Sequence, residues 1–238
     1  MDLLQVSIAY AGYNKDEKII RDINFSLKSG ELLGIIGPNG SGKSTLLKAI
    51  IGLLPNICGE IVFKGKKKRY AYIPEQPTFY EELTLIEHLE LAAAAYSITG
   101  REFEKKSQEL LTMFKLHDVK HLLPINFSKG MQQKTMLIIG FLVQPDIFII
   151  DEPFIGLDPR AVKSFLVLLN IALKDGAGVL MSTHVLDTAE KICESFVLLS
   201  EGNLIYKGSL EEIKKSCNMP QASLFDCFDY LMEINDDC

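Results

Sequence analysis

Residues 37–45, GPNGSGKST, constrain this chain more than any other stretch. They follow a nearly continuous apolar run at 32–36, as expected of an interior strand covered on both faces. They precede Leu46, Leu47, Ile50 and Ile51 at helical spacing, a pattern that Gly52 and Pro55 stop. Gly37, Gly42, Lys43 and Ser44 fit G-x-x-x-x-G-K-[ST] in the strand, loop and helix setting that this phosphate-loop motif requires. Glycines permit the backbone angles that turn successive amide hydrogens inward around a phosphate, and the helix N-terminus adds partial positive charge. Gly37, Pro38, Asn39, Gly40, Ser41, Gly42, Lys43, Ser44 and Thr45 are therefore the candidate nucleotide cradle, with Lys43 reaching the terminal phosphates and Ser44 a ligand for Mg²⁺.

Binding alone is not hydrolysis, which also needs a metal ligand and a group to orient water. The apolar run 147–150, IFII, ends in Asp151 and Glu152, a buried strand delivering acids to the sheet edge. Asp151 is the candidate holder of Mg²⁺, and Glu152 the candidate general base that polarises the attacking water.

The rest of the chain organises itself around these segments. Residues 1–36 read as strands, with Ile23, Phe25 and Leu27 alternating with polar partners. Residues 59–72 read as a short hairpin whose turn is the basic run KGKKKR, 64–69, taken as a solvated turn rather than an anion-binding patch. From 84 to 144 the pattern is helical: Thr84 with Glu87 and Thr99 with Glu102 form capping boxes. They lead into Leu85, Leu89, Ala92 and Tyr96, then Phe103, Leu110, Leu111 and Phe114. Strands at 147–150, 179–182 and 196–199 then alternate with helices at 159–174 and 185–195, which argues for a largely parallel sheet. Ser209 and Glu212 cap a further helix, and Leu224, Phe225, Phe228 and Leu231 give a last amphipathic turn or two before the acidic end NDDC.

Composition excludes several classes. The 25 basic against 31 acidic residues, a net charge of -6, argue against an extended nucleic-acid face. Five scattered cysteines, Cys58, Cys193, Cys217, Cys227 and Cys238, include no C-x-x-C pair and read as reduced, cytosolic thiols. The N-terminus MDLLQVSIAY has no secretory pattern, and no apolar run approaches the ~18 residues of a bilayer span.

Four further segments, YIPEQPTFYEELT (72–84), NFSKGMQQK (126–134), IIDEPFIGLDP (149–159) and VLMSTH (179–184), complete a pattern that resembles the ATP-binding subunits of ABC transporters over about residues 1–215. The resemblance implies an α/β, P-loop NTPase fold of the ABC ATPase kind: a RecA-like core with a mainly parallel sheet, an antiparallel β subdomain and an inserted α-helical subdomain. It implies one domain, 1–238, with 1–83 and 145–215 as core and β subdomain, 84–144 as helical signature subdomain and 216–238 as C-terminal helix and acidic tail.

It also implies roles. Ser128, Lys129 and Gly130 stand where the family has its signature motif LSGGQ, which clamps ATP held by a second subunit; Lys129 and Met131 depart from that motif. Counting nine residues back from Thr84 puts the Q-loop position, near the metal, at Glu75, with Gln76 beside it as the alternative. His184 matches the switch histidine that contacts the γ-phosphate. Asp158 matches the D-loop aspartate at the dimer interface, and is also a natural N-cap before Pro159. Tyr13 matches the aromatic that stacks on adenine, with Tyr10 a competitor. Cofactors are then ATP and Mg²⁺. Partners are a separately encoded membrane permease and a second nucleotide-binding subunit, a homodimer being expected, without nucleic acid and with cargo contacting the permease. The location is cytoplasmic, on the inner face of the membrane. A soluble ABC ATPase in a role such as cofactor assembly is the alternative function. A P-loop kinase or GTPase would show neither a signature helix nor the histidine after the next strand, and the chain has no guanine-selecting N-K-x-D.

Overall fold

The computed structural model describes residues 1–15, 17–66 and 69–236. In chain order the elements are β1 (Asp2–Gly12), β2 (Ile20–Lys28), β3 (Leu32–Ile36), α1 (Lys43–Ile50), β4 (Asn56–Phe63), β5 (Tyr70–Ile73), α2 (Leu85–Ala95), α3 (Gly100–Met113) and α4 (Lys129–Leu142). There follow β6 (Ile147–Asp151), α5 (Pro159–Lys174), β7 (Gly178–Thr183), α6 (Leu186–Ile192), β8 (Ser195–Ser200), β9 (Asn203–Gly208), α7 (Leu210–Ser216) and α8 (Leu224–Asp236).

Nine strands make one mixed sheet in the order β4-β1-β2-β9-β8-β3-β7-β6-β5. Its centre is parallel: β3 pairs with β7 and β8, and β6 with β5 and β7, so that Gly34 faces Met181 and Asp151 faces Ser182. Every residue of β3, β6 and β7 is buried, as continuous apolar runs require. Strands β1, β2 and β4 are antiparallel, joined to the parallel part through the Arg21 and Asn203 pairing of β2 with β9.

The sheet is strongly curved, and chain length shows why. Eight gaps of ~4.8 Å would set the edges of a flat sheet roughly 38 Å apart, whereas β4 and β5, its two edges, are joined by a six-residue link that spans at most ~25 Å. The edges in fact approach closely enough for the Phe63 and Tyr70 rings to stack at 5.4 Å. The curved sheet wraps α1, whose Leu46, Leu47, Ala49 and Ile50 are buried among Leu4, Ile8, Ile23, Ile147, Leu180 and Val197. On the opposite face α2, α3 and α4 pack with α5 over β5, β6 and β7, around Phe114, Phe148 and Phe165. A third cluster seats α7 and α8 on α6, through Ile213, Leu224 and Cys227.

Four expectations are corrected. Residues 59–72 are not a hairpin: β4 pairs with β1 and β5 with β6, because each edge has an apolar neighbour of its own. Within the basic run, Lys67 and Lys68 lie outside the described residues. Thr84 and Ser209 close capping boxes with Glu87 and Glu212, but Thr99 caps nothing with its side chain. There Gly100 takes φ +59°, which turns Thr99 away from the helix, and Glu102 pairs with Lys106 instead. In α8 the buried face is Leu224, Cys227, Phe228 and Leu231, while Phe225 is exposed. The helix expected at 185–195 is confined to Leu186–Ile192, and β9, unexpected, follows β8 as an antiparallel partner. Cys58, Cys193, Cys217 and Cys227 are free thiols; Cys238 lies outside the described residues.

Candidate active site

The phosphate loop runs from the end of β3 into α1. Gly40 and Gly42 hold φ of +84° and +98°, angles that side chains with a Cβ resist. Gly37 is tight for a different reason: a Cβ on it would lie 2.4 Å from Ser41 Oγ and 2.5 Å from the Leu199 carbonyl oxygen. Beneath the loop, Gly202 N–H donates to Ser41 O (3.0 Å), so the turn after β8 is the floor of the cradle. Lys43 curls back over the loop, its Nζ donating to the carbonyls of Gly37 (2.9 Å) and Pro38 (3.1 Å). Burial draws this ammonium below its usual pKa, against the opposing pull of Glu152, Asp151 and Glu75.

Strand β6 delivers Asp151 and Glu152 to the same place. Asp151 is buried and accepts a hydrogen bond from Ser182 Oγ of the adjacent β7. Glu152 sits just past the strand with φ +48°, its N–H donating to Ser182 O and Oγ (both 3.2 Å). Its Oε1 lies 4.0 Å from Lys43 Nζ and 2.8 Å from His184 Nδ1. With the carboxylate ionised, Nδ1 carries the proton and donates, which fixes the imidazole's tautomer. Ser182, unnoticed in the sequence, braces both acids; its signal was its place two residues before His184.

Several of these groups line a cavity of about 300 Å³ whose walls include Asn39, Gly40, Gly42, Lys43, Ser44 and Thr45 together with Glu75, Glu152 and His184, while Asp151 lies outside its wall. Gln76 is not in its wall, and Ile19 and Ile155 are, two apolar residues that sequence reasoning did not single out. Tyr13 stands exposed beside α1, with Oη 3.5 Å from Thr45 Oγ1 and its ring 5.6 Å from Lys48 Nζ. The Tyr10 ring is instead covered by Lys18 Nζ at 4.4 Å. A larger cavity of about 610 Å³ lies beyond the opposite ends of β6 and β7, around Leu110, Phe141 and Ile171, and contains none of these residues.

Ser44, Asp151 and Glu75 offer only oxygen donors, the chemistry that Mg²⁺ takes. Among the described residues no three His, Cys, Asp or Glu side chains converge into a metal cage.

Ser128, Lys129 and Gly130 do not line this cavity. Ser128 caps α4, its Oγ accepting from Met131 N–H (3.3 Å), and Gly130 packs against Gly156. Asp158 caps α5, with Oδ1 accepting from Arg160 and Ala161 N–H (3.0 and 2.9 Å), and its Oδ2 accepts from Lys134 Nζ. The Lys134 hydrogen bond, followed by that from Ala161 N–H, holds this carboxyl down at about 2.

The geometry has counterparts in known proteins. The family model described as ABC transporter matches residues 20–155. The ABC transporter ATP-binding protein YthP of Bacillus subtilis, itself uncharacterised, is 49% identical over 227 residues, 95% of each chain. The ABC-type transporter ATP-binding protein EcsA of the same organism is 42% identical over 237 residues, 96% of each. A solved structure of an ATP-binding subunit of an ABC transporter superposes with a TM-score of 0.91 at 42% identity, covering 97% of this chain and 99% of that one. A dimeric ATP-binding cassette in a post-hydrolysis state, bound to ADP and Pi, gives a TM-score of 0.75 at 25% identity, covering 87% and 98%. A phosphate loop facing an acid-tipped strand and a histidine, in a fold shared with these subunits over nearly its whole length, makes the chain a member of the ABC transporter family, an ATP-binding subunit with ATPase activity.

Proposed function

We propose that this subunit hydrolyses Mg-ATP with Glu152 as general base and His184 as its positioning partner, and that it drives a separately encoded membrane permease as one half of a head-to-tail pair of cassettes. The observation that carries the reading is the convergence of Lys43, Glu152 and His184 on one cavity, with Glu152 Oε1 within 4.0 Å of both the Lys43 ammonium and the His184 ring. The loop amides and Lys43 bind the phosphates, Tyr13 stacks on adenine, and Glu152 takes a proton from the attacking water while His184 keeps its carboxylate aimed. Ser44, Asp151 and Glu75 hold Mg²⁺, which neutralises phosphate charge when bound. Gln76 is outside the cavity wall, which favours Glu75 as the residue of this loop that acts on the site.

Pairing is supported by the position of Ser128, Lys129 and Gly130 at the N-terminus of α4, off the chain's own cavity, where they would meet ATP held by a second copy. A separate permease is supported by the absence, among the described residues, of any helix long and apolar enough to cross a membrane. The subunit then works at the inner face of the cell membrane. The similarity of 127–131 to exporter-type signatures supports outward movement of a peptide, drug or lipid, with the cargo contacting the permease.

Glu152→Gln tests the assignment, since the amide preserves shape and accepts from His184 but is no base. Hydrolysis should fall by roughly 10²–10⁴-fold while ATP binding persists and a stable dimer accumulates on size-exclusion chromatography with ATP. Hydrolysis at the unaltered rate would remove Glu152 from the role.

A further inference from the structure

Helix α4 grips the loop between Glu152 and α5 at two points on one of its faces. In its first turn a Cβ on Gly130 would lie 2.6 Å from the Gly156 carbonyl oxygen, so the two backbones are in direct contact. One turn further on, Lys134 Nζ donates to Asp158 Oδ2, and the Lys134 side chain is mostly buried in doing so. Asp158 Oδ1 is already committed to the N–H groups of Arg160 and Ala161. The α5 cap is thus complete without Lys134, and both oxygens of Asp158 have partners within the chain.

The loop between these grips is short and folded on itself. Ile155 N–H donates to Glu152 O and Leu157 N–H to Phe154 O, and Phe154 sets its ring edge-on to Phe165. Gly156 takes φ +78° at one end and Glu152 φ +48° at the other. A glutamate held in the left-handed region keeps that conformation only while its surroundings enforce it. On one side Ser182 holds the Glu152 N–H and His184 its carboxylate; on the other, six residues away, Lys134 holds Asp158.

We propose that Lys134 is a positioning residue for ATP hydrolysis: by holding Asp158 it ties the 152–158 loop to helix α4 and fixes the direction in which Glu152 presents its carboxylate. The inference rests on Glu152 being the general base. It gives the helical layer a mechanical connection to the catalytic acid within a single chain, and it assigns Asp158 an intrachain task beside the interface role that the family resemblance implies.

Steady-state ATPase kinetics on the full chain decide it. Lys134→Met, similar in length but without charge or donor, should lower kcat about tenfold, as a slightly misaimed base does, with KM for ATP within about twofold. Lys134→Arg should restore most of kcat, because charge and donor return. Asp158→Asn keeps an oxygen for the α5 cap while losing the charge that Lys134 grips. It should match Lys134→Met, and the double variant should be no slower than the slower single. A Lys134→Met or Asp158→Asn kcat equal to that of the unaltered chain, losses that multiply in the double variant, or a loss carried by KM overturns the proposal. If Lys134→Met does not fold, Asp158→Asn and Lys134→Arg decide alone. Glu152→Gln, run in parallel, separates the two readings: its inactivity beside a fully active Lys134→Met sinks only the positioning role, whereas its full activity sinks the assignment of the base.

Discussion

Replacing Lys43 by Met removes a charge and three donors while keeping side-chain length. This ammonium donates to the carbonyls of Gly37 and Pro38 and lies 4.0 Å from Glu152 Oε1. Its burial costs enough to hold its pKa below the usual lysine value despite three neighbouring carboxylates. Loss of that burial cost offsets loss of those contacts, so the Tm without nucleotide should move little. With nucleotide the balance changes: charge-assisted hydrogen bonds are worth about 1.5–3 kcal/mol each. Losing one or two of them weakens ATP binding by about 3 kcal/mol, roughly 150-fold. A ligand at 100 times its Kd stabilises the unaltered chain by about 2.7 kcal/mol. At about 2–4 °C per kcal/mol for a chain of this size, that raises Tm by about 5–10 °C. At the same concentration Lys43→Met should gain only about 1 °C. Differential scanning fluorimetry with Mg²⁺ and a non-hydrolysable ATP analogue measures both. An undiminished ligand shift in Lys43→Met would refute the placement of phosphates against this side chain.

Gly202→Ala, at a buried turn, should be among the most damaging single changes. Its φ is +81° and a Cβ would lie 1.8 Å from the Ile19 carbonyl oxygen, so a loss of about 2–4 kcal/mol is expected. Thermal unfolding should show it, together with a smaller nucleotide shift because Gly202 braces Ser41; a Tm within 2 °C of the unaltered value, by the ~2–4 °C per kcal/mol conversion, would contradict the reasoning. For Asp158 the expectation concerns acid. Its folded pKa of about 2 lies below the ordinary 3.8, so its stabilising contribution is complete above pH 4 and fades as pH falls toward 2. Asp158→Asn should therefore flatten the acid limb of stability between pH 4 and 2, and an unchanged slope there would show that the Lys134 contact does not form in solution.

The cradle and the acid-tipped strand were legible in the sequence because each is local: glycine angles, an apolar run and the residue that ends it lie within a few positions of one another. Thr84 and Ser209 were legible as caps for the same reason. The mistaken hairpin at 59–72 failed because pairing is decided by the sheet as a whole; nothing in the segment says that β4 and β5 belong to opposite edges. Strand β9 was missed because it is half-buried and mixed in composition, giving no clean alternation. At Thr99 the capping-box pattern was present but its side chain makes no cap, and the neighbouring Gly100 takes φ +59°. Within the site, the family resemblance pointed to Glu75 with Gln76 as its alternative, and Glu75 lines the cavity, but Ser182 and Lys134 act through contacts between distant segments, 31 and 24 residues from their partners, and leave no local trace.

The floor under the phosphate loop has a consequence for how the chain is made. Gly202 and the Leu199 carbonyl lie against a loop that begins at Gly37, and β3 is flanked by β7 and β8, both more than 140 residues further along. During synthesis the nucleotide cradle emerges well before it can be completed, since its support arrives only with β8 and the turn that follows it. Long-range pairing of this kind is slow to form, and until it does the wrapped helix α1 has an open side. A nascent chain halted before residue 195 should therefore bind no ATP despite carrying the whole phosphate-loop motif, and nucleotide binding becomes a late reporter of completed folding.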